Sequence, residues 1–386
     1  MYYTLRVVFV SLLVLFQFHE TTSIRVFLQR NTTEETINNI KITDVTNDIE
    51  KPFKTEVKAL VILTTICNFR QQNTKIEFED FLYSSISSKL DSCSFGNVKL
   101  NKALSTVIEL HIPCSIPGTM SPYLGKQIDL LTLSDEEYEP HVSAMMVYAI
   151  NKISTYKNYN YFMMKLPNNA FPVAWSGLAL TNCQGVTCYS WFNNPNLIAG
   201  IYVHELGHNF GLGHAKTPNS EYGDPHCAMG QAQLNNCYNA VHRDALGWSS
   251  PMVSVNLSSQ LPSVAYTLTQ NSQYIIANKL IYIEKFDDSV GVYLAMPDVT
   301  SMLLSTLSKK GQIQSFDIQD YNSTKKNLVV QFYDIANHAI TVKIMYADTN
   351  TTVYNNTSNS AKFGKGNISI VFVIVFWIFG FVCNLI

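Results

Sequence analysis

Charge is scarce in this chain. Only 15% of its 386 residues are Asp, Glu, Lys or Arg, and they nearly cancel at a net charge of −2. A protein that neutralises phosphates needs a basic patch or stripe. None is present, which argues against a nucleic-acid partner. Internal repeats and low-complexity tracts are missing too, so a repeat architecture is not expected. No serine or cysteine stands in a nucleophile motif with a matching base, which disfavours a metal-independent hydrolase.

What the chain does carry is an eleven-residue run, His204-Glu205-Leu206-Gly207-His208-Asn209-Phe210-Gly211-Leu212-Gly213-His214, that reads H-E-x-x-H-x-x-G-x-x-H. His204 and His208 are four apart, so on a helix they share one face, one turn apart. Asn194 as N-cap and Pro195 at the first helical position predict where that helix starts. Leu197, Ile198, Ile201, Val203, Leu206 and Phe210 give it apolar surface around much of its girth, as in a buried helix. Gly211 predicts its end, because glycine takes positive φ at little cost. The turn there brings His214 back as a third ligand. Three neutral imidazoles suit one catalytic Zn2+ and leave a tetrahedral position for water. Zinc lowers the pKa of that water to roughly 7, and Glu205 is the expected general base acting on it. By residue frequencies the full pattern has on the order of 10⁻⁵ chance occurrences in such a chain.

The two ends read as addresses. Arg6, the apolar run Val7 to Phe18 and the small residues Thr21 to Ser23 predict a signal peptide over 1–23. Ile368 to Ile386 is a second apolar run with no charge and nothing after it. Small residues at 358–361 and a short polar spacer precede it. That layout fits a glycosylphosphatidylinositol (GPI) signal, with a transmembrane helix as the alternative. Asn31, Asn256, Asn322, Asn350, Asn355, Asn356 and Asn367 each begin a glycosylation sequon. Those clustered before the tail predict a glycosylated linker over 347–367.

An exported chain is expected to form disulfides. Of eight cysteines, Cys383 would leave with a cleaved tail. An odd number remains, so at least one is free or pairs between chains. Cys183 with Cys188 and Cys227 with Cys237 are the simplest local pairs.

The chain is long enough for two domains. Residues 24–56 are polar and read as an N-terminal arm or short propeptide. Val57 to Leu63 and Tyr161 to Met164 are strand-like, and Glu77 to Leu90 and Pro140 to Tyr156 helix-like. This predicts an α/β (α+β) catalytic domain over 57–250 with a long active-site helix. From 251 to 346, short apolar runs split by polar turns predict a small all-β, sandwich-like domain.

The eleven-residue signature resembles that of the metzincin clan of zinc endopeptidases, which carry a methionine turn beneath the metal. Cys227-Ala228-Met229-Gly230 fits that turn. Trp175 to Ala179, Tyr222-Gly223-Asp224 and the block from Tyr238 to Trp248 are similar to the gametolysin family, named for an algal cell-wall autolysin. The resemblance implies a secreted or cell-surface zinc endopeptidase acting on extracellular, matrix or cell-wall proteins. No tyrosine follows Met229 closely, so no fifth ligand is predicted there. His226 and His242 are expected to be structural. The competing reading is a non-catalytic, zinc-containing surface binding protein acting through its β-rich part; Glu205 speaks against it.

Overall fold

The computed structural model describes residues 53–117, 128–130, 138–168, 175–183, 187–234, 236–257, 263–296, 299–319 and 325–348. The expected signal peptide, the hydrophobic tail and every sequon except Asn256 lie outside them. No helix among the described residues is long and apolar enough to cross a membrane. The fold is mixed α/β.

The first half contains β1 (Thr55–Val57), β2 (Ala59–Ile66), β3 (Val98–Leu100), β4 (Thr106–Ile112), β5 (Ser115–Ile116), β6 (Ile128–Asp129), β7 (Tyr161–Lys165), β8 (Gly177–Ala179) and β9 (Cys188–Phe192). Five of these form one sheet in the order β4-β2-β7-β9-β8. All pairs are parallel except β8, which runs antiparallel at the edge. Alternate residues of β2 go to opposite faces. Ala59, Val61 and Leu63 join a core with Phe78, Leu82, Tyr202 and Leu206. Leu60, Ile62 and Ile66 join one with Val142, Met145, Met146 and Ala149. Cover on both faces explains why β2 opens with an unbroken apolar run, Ala59 to Leu63, rather than an alternating one.

The expected helix over 77–90 is longer and has a wider turn inside it. It runs as α-helix over Lys75–Asp80, π-helix over Phe81–Ile86 and α-helix over Ser87–Cys93. Thr74 and Glu77 start it with a reciprocal capping box. Phe78 and Phe81 pack edge-on against Tyr202 of the metal-site helix. A second helix, Tyr138–Asn151, covers the other face of the sheet.

After the metal-site helix come β10 (Ala215–Lys216), β11 (Val253–Val255), β12 (Ser263–Leu268), β13 (Tyr274–Ala277), β14 (Ile281–Phe286), β15 (Ser289–Ala295), β16 (Ser301–Leu307), β17 (Ile313–Gln319), β18 (Lys325–Ala336) and β19 (Ala339–Asp348). They make a six-stranded sheet, β10-β16-β15-β14-β13-β11, and a four-stranded sheet, β12-β19-β18-β17. Ile275, Ile283 and Val292 of the first share a core with Val330, Phe332 and Val342 of the second. The outer face of the six-stranded sheet, with Tyr274, Tyr282 and Tyr293, packs on the short helix Ala240–Ala245. The described residues fall in one compact unit.

Cys183 pairs with Cys188 as expected. Cys227 does not pair with Cys237. Cys237 joins Cys93 at the end of the π-bulged helix, and Cys67 joins Cys114. Cys227 is free and buried. The local pairing fails because the chain folds Cys227 inward, where its sulfur lies 3.3 Å from Nδ1 of His242.

Candidate metal centre

The helix carrying the motif spans Ala199–Asn209. Its start corrects the sequence expectation. Asn194 commits its side-chain oxygen to the N–H of Asn196 at 2.8 Å, a local turn upstream. Ile198, in extended conformation, is the N-cap. The end is as expected. Gly211 has φ +98°. Leu212 N–H donates to Gly207 O and Gly211 N–H to His208 O, both at 2.9 Å, a Schellman closure.

That closure presents Leu212 O to one of the three imidazoles. Each imidazole commits Nδ1 away from the centre. His204 Nδ1 bonds Ala228 O at 2.8 Å, His208 Nδ1 bonds Leu212 O at 2.9 Å, and His214 Nδ1 bonds Glu221 Oε1 at 2.7 Å. The Nε2 atoms of His208 and His214 then face each other at 3.1 Å. A tetrahedral ion with bonds of ~2.0 Å needs an N–N edge of ~3.3 Å. One ligand atom from each of His204, His208 and His214 lies within 4.8 Å of the others, so the three could hold a metal. Burial pushes His204 down to about 3 and His208 down to about 4, aided by the neighbouring imidazoles. Both are therefore neutral, as ligands must be.

Glu205 lies one residue along the same helix and is 4% exposed. Burial raises its carboxyl to about 8. The roof over it is β8, where a Cβ on Gly177 would overlap the Glu205 carboxylate.

Met229 is fully buried under the helix. A Cβ on Gly207 would strike its sulfur, so the glycine inside the motif is what lets the methionine approach. The segment around Met229 also bonds its surroundings: Ala228 O holds the His204 ring, and Met229 O accepts from Ala215 N–H at 2.9 Å. His226 and His242 are not among the three. His226 stacks on Phe286 with ring centres 4.1 Å apart. His242 is buried beside Cys227, and burial lowers it to about 3 while raising the Cys227 thiol.

Sequence reasoning missed three neighbours. Glu221 accepts from His214 and from Lys216 Nζ. The Tyr222 ring sits 4.3 Å from that of His214 and 5.9 Å from that of His204, half exposed. Gly177 closes over the Glu205 carboxylate. Tyr222 stood in a block already singled out, and its closeness to the third ligand was the available signal.

The model of the gametolysin peptidase family, M11, matches residues 72–281, more than half of the chain. The chain belongs to the gametolysin peptidase family. All three histidines, Glu205 and Met229 fall inside the matched span. An autolysin of Chlamydomonas reinhardtii is 33% identical over 86 residues, 20% of this chain and 13% of that protein. The match thus spans a small part of that relative. A solved chaperone–substrate complex aligns over 49% of this chain and 30% of its own at 14% identity, with a TM-score of 0.28. The gametolysin-peptidase span stops at Ile281, the first residue of β14. Contacts to His214 come from beyond it.

Proposed function

We propose that this gametolysin-family protein is a zinc-dependent endopeptidase of metzincin type that hydrolyses peptide bonds of extracellular, matrix or cell-wall proteins. One observation carries the reading: three imidazoles converge while a buried carboxylate stands beside them on the same helix. A zinc ion bound there supplies an electrophile for the scissile carbonyl, lowers the pKa of a water to roughly 7 and favours the ionised form of a nearby carboxylic acid. His204, His208 and His214 hold it. Glu205 takes the proton of the attacking water and returns it to the leaving amine. Burial under β8 fixes that carboxylate and keeps bulk water from it. Met229 backs the helix, and the catalytic part is assigned to 57–250.

Disulfides between described cysteines fit an oxidising compartment. With the exposed Asn256 sequon and the two terminal runs, they support a glycoprotein of the cell surface held by a GPI anchor, the alternatives being a C-terminal transmembrane helix or an extracellular protein. The test is cleavage of a denatured protein by the secreted chain, with and without a chelator, beside Glu205→Ala. The variant should lose roughly 10²- to 10⁴-fold in rate and keep its metal. Equal cleavage by both proteins sinks the reading.

A further inference from the structure

His204 and His208 ride on a helix, but His214 has left it. Its position depends on what grips the chain around it. Gly213 N–H donates to Val299 O at 3.2 Å, and Ser301 N–H donates to His214 O at 3.1 Å. The next two residues pair in parallel with β16, Ala215 opposite Ser301 and Lys216 opposite Met302. The third histidine is therefore stitched to the β-rich half on both sides of its own Cα.

That grip is braced from behind. Asn239 Nδ2 donates to Ser301 Oγ at 2.6 Å and to Asp224 Oδ2 at 3.1 Å. Asp224 N–H donates in turn to Ala215 O at 3.2 Å. Ser301, Asn239, Asp224 and Ala215 are each at most 1% exposed, so the ring of bonds closes out of reach of water. Val299 adds a second sign of constraint. It is β-branched yet sits at φ +54°. A β-branched residue enters that region only when its surroundings impose it.

We propose that this buried ring, centred on Ser301, is a positioning device for the third metal ligand. The β-rich half then acts in metal retention and is not an appended binding module. The proposal rests on reading the three histidines as ligands. Ser301 touches neither metal nor substrate; it acts through the main chain of His214.

The test uses the full chain and zinc alone, with affinity read by competition against a chromophoric chelator. Ser301→Pro removes the N–H that holds His214 O. Ser301→Ala keeps that N–H and removes only the acceptor for Asn239. Ile344→Ala, in the core of the four-stranded sheet, serves as a control for plain loss of stability. Thermal melts of the metal-free proteins report folding. Ser301→Pro should bind zinc roughly tenfold more weakly or worse, in the range typical of groups that orient ligands, and Ser301→Ala, one step further from His214, roughly a few-fold more weakly. Ile344→Ala should melt lower yet bind zinc like wild type, and Ser301→Thr should restore affinity. The visible spectrum of the Co2+ form should change in the Ser301 variants and not in the control. Zinc affinity in the Ser301 variants equal to that of Ile344→Ala overturns the proposal. Should Ser301→Pro fail to fold, an unchanged affinity in Ser301→Ala overturns it alone. A wild type that binds no zinc overturns the metal reading and this one with it.

Discussion

Gly177 shows how little room surrounds Glu205. A methyl group there meets Oε1, the carboxyl carbon and Cγ of a side chain that is itself buried. Gly177→Ala should therefore displace Glu205, the proposed base, while leaving the three imidazoles alone. A displacement near 1 Å at a reacting group costs on the order of 100-fold. We expect kcat/KM to fall by about that factor at unchanged zinc content, and unaltered kinetics would show that the carboxylate acts from elsewhere. The convergence of His204 and His208 was legible because the period of a helix converts spacing into a shared face, and Gly211 marked the turn that brings His214 back to them. Gly177, Glu221 and Tyr222 were not, since they reach the centre through tertiary folding from separate loops and strands. The same limit applied to Cys227. Proximity in sequence suggested Cys237, but Cys237 pairs with Cys93 and Cys227 is buried and free.

Among elements, ends were harder to read than bodies. The apolar runs located β2 and β7, but Asn194 and Pro195 misplaced the start of the metal-site helix because Asn194 caps a turn of its own. Leu246-Gly247-Trp248 stood out as a block without a physical reason. The structure supplies one: Gly247 at φ +64° and Trp248 N–H bonding Arg243 O close the helix Ala240–Ala245. The Trp248 indole then donates to Phe53 O at 2.7 Å, pinning the start of the described chain. Lys165, the last residue of β7, is the element's anomaly. It is buried, with Nζ donating to Leu166 O at 2.8 Å. Burial lowers it from 10.5 to about 8. Between those values the unfolded chain binds the extra proton, so stability contributed by this group rises with pH through that window. Below pH 8 the buried charge is a cost. Lys165→Met should gain roughly 2 kcal/mol at pH 7 and lose that advantage by about pH 10. Urea midpoints of both proteins across pH 7–10 check this; a constant difference rejects it.

At the scale of the molecule, the periodic patterns foretold strands after residue 250 but not that β10 would join their sheet. A two-residue strand behind a metal ligand has no pattern long enough to read. The consequence is a junction that is buried and polar. Arg243 and Glu284 pair at 2.8 Å with 3% and 1% exposure, and Glu284 also accepts the N–H of Ala240 at 2.8 Å. Asp244 accepts the hydroxyls of Tyr274 and Tyr282 at 2.8 and 2.7 Å. Opening this junction would expose charges whose partners lie on the other side, so neither half can melt while the other keeps its contacts. One calorimetric transition is expected for the wild type. Glu284→Ala leaves the Arg243 guanidinium buried without its counter-charge, a loss of about 3–5 kcal/mol. The single transition should move down as a whole. Two resolved transitions in the wild type, or a Glu284→Ala scan in which only one part melts early, would mean that the halves are held together by less than the buried pair demands.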